Sequence, residues 1–158
     1  MYQNLTQKFK FRNLQNPAIY YDYTYRSQII ANLRHHLASL TEAYFKADNP
    51  KKAGEVLLFA LQVMPDAALP YDFYSPLYVP LLYQAGEMQK ANALFQTLTQ
   101  RSQEALRYYT GLPNRALFDR EIQLNLMTLQ QLTLVARELN KPEAVALEAA
   151  FIKYYNML

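Results

Sequence analysis

The sequence predicts an all-α protein: a tetratricopeptide-like stack of about three antiparallel helix hairpins, an α-α superhelix, preceded by an extended N-terminal arm. Three observations carry this expectation. Apolar residues recur every three to four positions through most of the chain after Tyr25. Most of the 8 Pro and 3 Gly fall at the joints between those stretches. One hairpin-length pattern returns further along the chain, the mark of a repeat architecture.

The elements follow in order. Residues 1–24 show no sustained helical period, and Tyr20, Tyr21, Tyr23 and Tyr25 crowd together after Asn16-Pro17. This is the arm, expected to lie along the helices because so many tyrosines need a surface to cover. Lys8 to Arg12 alternate with period two, as a short strand or an extended lead-in would. The repeat domain then occupies residues 25–158. Its first helix runs from about Tyr25 to Ala47, with Ile30, Leu33, Leu37, Leu40 and Tyr44 inward, and Asp48-Asn49-Pro50 stops it. A second helix runs from Lys51 to Met64 on Ala53, Leu57, Ala60 and Met64, and Pro65 closes it. So short a joint makes the pair antiparallel.

Residues 65–75 read as a loop. A short third helix spans Pro76 to Ala85, where Pro80 costs a backbone bond unless the helix starts late. Gly86 ends it. Helix four covers Glu87 to Tyr109, and Gly111-Leu112-Pro113-Asn114 turns the chain. Helix five covers Ala116 to Leu139, with Ile122, Leu126, Leu129, Leu132, Ala136 and Leu139 inward. Helix six starts at Pro142 and is apolar on two sides, Val145, Ala149 and Ile152 on one and Leu147, Phe151 and Tyr154 on the other. Such a helix is a cap or an interface.

Taking Ala53 as the small residue early in the second helix of a tetratricopeptide repeat places Leu37, Leu40, Tyr44, Leu57, Ala60 and Pro65 at the pattern's large, large, aromatic, large, small and proline positions. Thr41 stands where glycine is usual. A second copy follows in Leu82 to Ala91, with Ala91 thirty-eight residues after Ala53 against a period of about 34. The third hairpin, around Ala144, keeps the shape and little of the pattern.

Composition narrows the chemistry. The 158 residues contain no Cys and no Trp, which excludes disulfides, thiolate metal sites and thiol catalysis, and 3 Gly cannot build a phosphate-cradling loop. No cofactor is implied. Sixteen Lys and Arg against thirteen Asp and Glu give a net charge of +3. The excess lies before Leu37, where Lys8, Lys10, Arg12, Arg26 and Arg34 face Asp22 alone, too thin a basic surface for nucleic acid. The longest apolar run, Val56 to Leu61, is six residues, while a span needs about 20. The N-terminus lacks the basic-then-apolar order of an export signal.

One set of segments is more specific. It comprises Lys10-Phe11-Arg12-Asn13-Leu14-Gln15-Asn16-Pro17 leading to Ile19-Tyr20-Tyr21-Asp22, then Asn32-Leu33-Arg34, Ala53 to Leu57, and Met64-Pro65. It continues with Leu69-Pro70-Tyr71-Asp72, Tyr83-Gln84-Ala85-Gly86, Lys90-Ala91 and Leu106-Arg107-Tyr108-Tyr109. In this order of features the chain resembles the soluble C-terminal region of bacterial multi-spanning membrane proteins of the protein O-mannosyltransferase-like family. The resemblance implies a tail following the last membrane helix of a lipid-linked sugar transferase, on the periplasmic side, with the cytoplasmic side as the alternative. It carries no catalytic residue over, because acidic catalytic residues of such enzymes are expected in loops of the membrane part. Lys8, Lys10 and Arg12 would then lie near anionic headgroups.

Candidate sites are few. Neighbouring His35 and His36 point about 100° apart on a helix and do not share a metal as an i, i+4 pair does. Asp119 and Glu121 also face apart on their helix. In the repeat register the inner groove of the first hairpin shows His35, Ala38, Ser39, Glu42, Phe45 and Lys46. A second candidate is an aromatic patch of Tyr20, Tyr21, Tyr71, Tyr74 and Tyr78, able to stack on sugar rings or simply to cover helix ends. The sequence thus leads to a non-catalytic scaffold or recognition domain whose partner is the membrane-embedded part of the parent chain, a protein or peptide ligand, or a glycan. A free-standing interaction module is the alternative, and a glycan-binding or carboxylate-based glycan-processing domain a more distant one.

Overall fold

The computed structural model describes residues 2–157. Among them the regular elements are all helical and no strand occurs. The chain forms two compact units, Met1–Met88 and Gln89–Leu158. The terminal residues of the expected domain bounds, 1 and 158, lie outside the described residues.

The first unit is built on a hairpin of α1 (Ala31–Lys46) and α2 (Pro50–Val63). Its turn is local chemistry. Asp48 takes the left-handed conformation at φ 52°. Asn49 caps α2 by accepting from the Lys52 N–H at 3.2 Å, and Pro50 takes the first helical position, where its missing N–H costs nothing. The two helices pack together, with Leu37 and Ala38 of α1 and Ala53, Val56, Leu57 and Ala60 of α2 all buried. Thr41, in place of the usual glycine, is fully buried, and its hydroxyl is satisfied by donating to the Leu37 carbonyl at 2.9 Å.

The expected first helix begins differently. Tyr25–Ile30 winds as a π-helix that opens into α1, so the regular α-helical period starts only at Ala31. The arm is also not extended throughout, because Asn4–Lys8 forms a π-helical turn. The candidate strand at Lys8–Arg12 does not form: Lys8 ends the π-helical turn and residues 9–12 are a non-helical lead-in. The arm does pack on the hairpin. Tyr2 meets Tyr44 edge to face at 5.9 Å and Phe11 meets Phe59 at 5.4 Å. Lys52 lies within 5.7 Å of both the Tyr2 and Tyr44 rings, and Leu14 is buried.

After the 65–74 loop a short 3₁₀ turn, Ser75–Leu77, leads into α3 (Tyr78–Gln84), which packs on both α1 and α2. Pro80 falls in the first turn of α3, where its backbone N–H would have no helical acceptor, so the proline costs no bond. Gly86 at φ 80° closes α3, and the Glu87 N–H then reaches the Leu82 carbonyl at 2.9 Å.

The second unit holds most of α4 (Met88–Thr110), α5 (Asp119–Glu138) after a 3₁₀ turn at Arg115–Phe118, and α6 (Ala144–Tyr155). The start of α4 coincides with the unit boundary, inside the hairpin expected from the second repeat copy. Neighbours run antiparallel. Tyr109 stacks on Phe118 at 5.2 Å at one end of the α4–α5 pair. At the other end Lys141 donates to Asn92 at 2.9 Å and lies 4.8 Å from the Phe95 ring centroid. Asn140, left-handed at φ 52°, turns α5 towards α6. Leu139 is partly exposed rather than inward because α5 ends at Glu138 and Leu139 sits on the turn. α6 starts at Ala144, two residues after Pro142.

Candidate functional site

The structure divides the expected groove. Glu42, Phe45 and Lys46, one face of the last turns of α1, line a shallow cavity of about 260 Å³ together with Gln84 of α3. Ser39 is exposed and Ala38 is in the core. His35 lies elsewhere: its ring stacks on Tyr74 at 4.8 Å and 29°, and its Nδ1 is buried without a hydrogen-bond partner. The His35 and His36 rings are 5.9 Å apart at 45°. Among the described residues no group of three or more His, Asp or Glu could hold a metal ion.

The aromatic patch also separates. Tyr20 is 83% exposed. Tyr21 stacks on Tyr25 at 5.2 Å and its hydroxyl donates to the Asn13 carbonyl at 3.1 Å, bracing the arm. Tyr71 and Tyr74 are half-buried beside α1, and Phe73 joins them at 4.1 Å from Tyr74. Tyr78 is not a surface residue. It is 3% exposed, because it is the first residue of α3 and that helix packs on α1. Its hydroxyl donates to the Arg34 carbonyl at 2.8 Å. Burial pushes its phenol far above the ordinary range, with the Arg34 charge pulling the other way. Tyr2 is raised too, by partial burial and then by Glu55, to which its hydroxyl donates at 3.3 Å.

The feature that organises this region is one the sequence reading passed over. Arg34 lies in the core, 3% exposed, on the inward face of α1 between Ile30 and Leu37. Its guanidinium donates to Asp72 at 2.8 Å, to the Pro70 carbonyl at 2.9 Å and to the Leu69 carbonyl at 2.5 Å, and lies 5.6 Å from the Tyr71 ring centroid. Asp72 in turn accepts the Tyr74 N–H at 3.0 Å and the Ser75 hydroxyl at 3.3 Å. Asp66 accepts the Tyr71 N–H at 3.0 Å. The 65–75 loop is therefore not a slack connection but a structure wrapped on a buried cation. A signal was present: an arginine on the apolar stripe Ile30, Leu37, Thr41 must find an anion, and Asp66 and Asp72 are the acids of the adjoining loop.

The second unit carries a different kind of surface. α6 buries only Leu147 and Tyr154, while Val145 is 77% and Ile152 48% exposed, with Ala149 exposed between them on the same face. On α5, Met127 and Leu134 are also exposed. Polar groups hold the α5–α6 hairpin from outside, where Arg137 pairs with Glu148. Asp119 and Glu121 lie in the first turn of α5, where negative charge favours the helix start.

Lys8, Lys10 and Arg12 are all exposed. Among the described residues no helix is long and apolar enough to cross a membrane. Comparison of the chain with protein-family models, with curated proteins and with solved structures gives no match in any of the three.

Proposed function

We propose that this chain is a non-catalytic, tetratricopeptide-like scaffold and recognition domain, attached to a membrane glycosyltransferase-like protein of the O-mannosyltransferase-like kind. The observation that carries the interaction role is the uncovered apolar face of α6, Val145, Ala149 and Ile152. An apolar helix face that no other element covers is built for a neighbour. The non-catalytic part is supported by how the ionisable groups are used. Asp72 serves a core arginine, Glu148 an interhelical pair, Asp119 and Glu121 a helix start, and His35 stacks on Tyr74.

The membrane parent and its side rest on the sequence resemblance. The partner is then the membrane-embedded part of the same protein, and the exposed Lys8, Lys10 and Arg12 lie towards anionic headgroups. The test is retention of the purified chain on the detergent-solubilised membrane part. Val145→Ser with Ile152→Ser, both on exposed positions, should leave stability within about 0.5 kcal/mol per site and abolish retention. Equal retention of the variant and the unaltered chain would refute the role given to α6. A reporter fused at the C-terminal end of the chain in the parent reads the side, and a cytoplasmic signal would refute the periplasmic assignment.

A further inference from the structure

Between α4 and α6, within the second unit, lies a cleft of about 240 Å³ lined by Gln100, Gln103, Glu104, Arg107 and Tyr154. The first four are i, i+3, i+4 and i+7 along α4, so one stripe of the helix supplies them. An interhelical seam of this kind is normally closed by apolar side chains. Here it is walled by four long polar ones, with Tyr154, itself almost wholly buried, at its base.

The hydrogen-bonding inventory of the cleft is unbalanced. Gln100 donates its amide to Glu104 Oε1 at 3.0 Å, which engages one oxygen of the carboxylate. Arg107 is exposed, and among the described residues it forms no ion pair, although Glu104 is only three positions away. What remains is a surplus of donors: the guanidinium fork, the Gln103 amide and the Tyr154 hydroxyl. A donor-rich cleft of this volume fits a small planar oxyanion, and a guanidinium grips a carboxylate through two parallel hydrogen bonds. Glu104 in the same wall disfavours a dianion such as phosphate, because a second negative charge meets the like charge more strongly.

We infer that the α4–α6 cleft is a binding site for a monoanionic carboxylate, with Arg107 as its anchor. This goes beyond the scaffold role of the exposed α6 face and does not depend on it, since the cleft lies on the α4 side of α6. A peptide's free C-terminus and an acidic side chain offer the same group, and the experiment separates them.

The full chain is titrated by amide-resolved NMR with four probes: an N-acetylated tripeptide with a free C-terminus, the same tripeptide amidated, N-acetylglutamate α-amide, and inorganic phosphate. Saturable shifts of α4 and α6 amides with either carboxylate probe, and none with the amidated tripeptide, are expected. The stronger of the two carboxylate probes identifies the source. Arg107→Gln should weaken binding roughly tenfold or more, the range for losing a charged hydrogen-bonding partner, and Arg107→Lys should retain part of it. Because Arg107 is exposed, both variants should keep the native amide spectrum away from the cleft. Equal shifts with the amidated probe, tighter binding of phosphate, or unchanged binding in Arg107→Gln would overturn the assignment. Failure of α6 retention with intact carboxylate binding would refute the scaffold reading alone.

Discussion

Replacing Asp72 with Ala isolates the contribution of the buried cation. Arg34 and Asp72 meet at 2.8 Å with side chains 4% and 17% exposed, so the pair is screened little by solvent. Removing one partner of such a pair costs about 3–5 kcal/mol, because the other charge stays buried without compensation. Two circumstances hold this case to the lower end. Arg34 keeps the carbonyls of Leu69 and Pro70, and Asp72 stands at the more open side of the pair. The loss of the acceptor for Tyr74 N–H adds a smaller penalty. We expect about 3 kcal/mol, read from urea unfolding followed by tyrosine fluorescence and circular dichroism, since the chain has no Trp. Arg34→Met should cost less than a charge deletion of the same size, as the methionine fills the apolar stripe. The double variant should show a coupling of about 2 kcal/mol, within the range for contacting residues. A cost below about 1 kcal/mol for Asp72→Ala, the value of an exposed pair, would refute the claim that the loop is organised on this cation.

Three other outcomes are expected. Ala53→Phe forces a ring into the fully buried α1–α2 seam and should cost about 1–3 kcal/mol in the same urea assay; unchanged stability would mean the hairpin register is misplaced. Gly86→Ala meets no atom within 4 Å but must hold φ 80°, so it should cost about 1–2 kcal/mol through backbone strain alone, and an isosteric D-alanine introduced by synthesis should not. Tyr78 has its folded pKa raised above the unfolded value, so its contribution is complete below about pH 10 and fades as pH rises above that, through the folded pKa. Tyr78→Phe should therefore lose about 1 kcal/mol at neutral pH with the bond to the Arg34 carbonyl, and show a shallower loss of stability in alkaline urea titrations.

Helix positions and joints were legible because they rest on local chemistry. Asp48-Asn49-Pro50 announces the end of one helix, Gly86 the end of another, and the stripe Leu37, Ala53, Leu57, Ala60 a packed hairpin, and the joints are found there. The π-helical winding of Asn4–Lys8 and Tyr25–Ile30 has no compositional signature, since the same residues serve an α-helix. Candidate sites fared less evenly, because surface chemistry depends on tertiary placement. Tyr78 reads as a member of a surface aromatic patch until α3 packs on α1 and takes it into the core. His35 was placed in the groove by register, but the Arg34–Asp72 clasp brings Tyr74 over it instead. The α4–α6 cleft was invisible because Gln100, Gln103, Glu104 and Arg107 look like an ordinary solvated helix face.

The most direct measurement of the central claim is site-specific photo-crosslinking in the membrane-attached parent proposed above. A photoreactive residue at Val145 or Ile152, on the uncovered face of α6, should form an adduct with the membrane-embedded part of the protein. The same group at Glu138, exposed near the end of α5, serves as the comparison. Adducts from Val145 and Ile152 well above those from Glu138 are the predicted result, and equal background yields from all three positions would contradict the account.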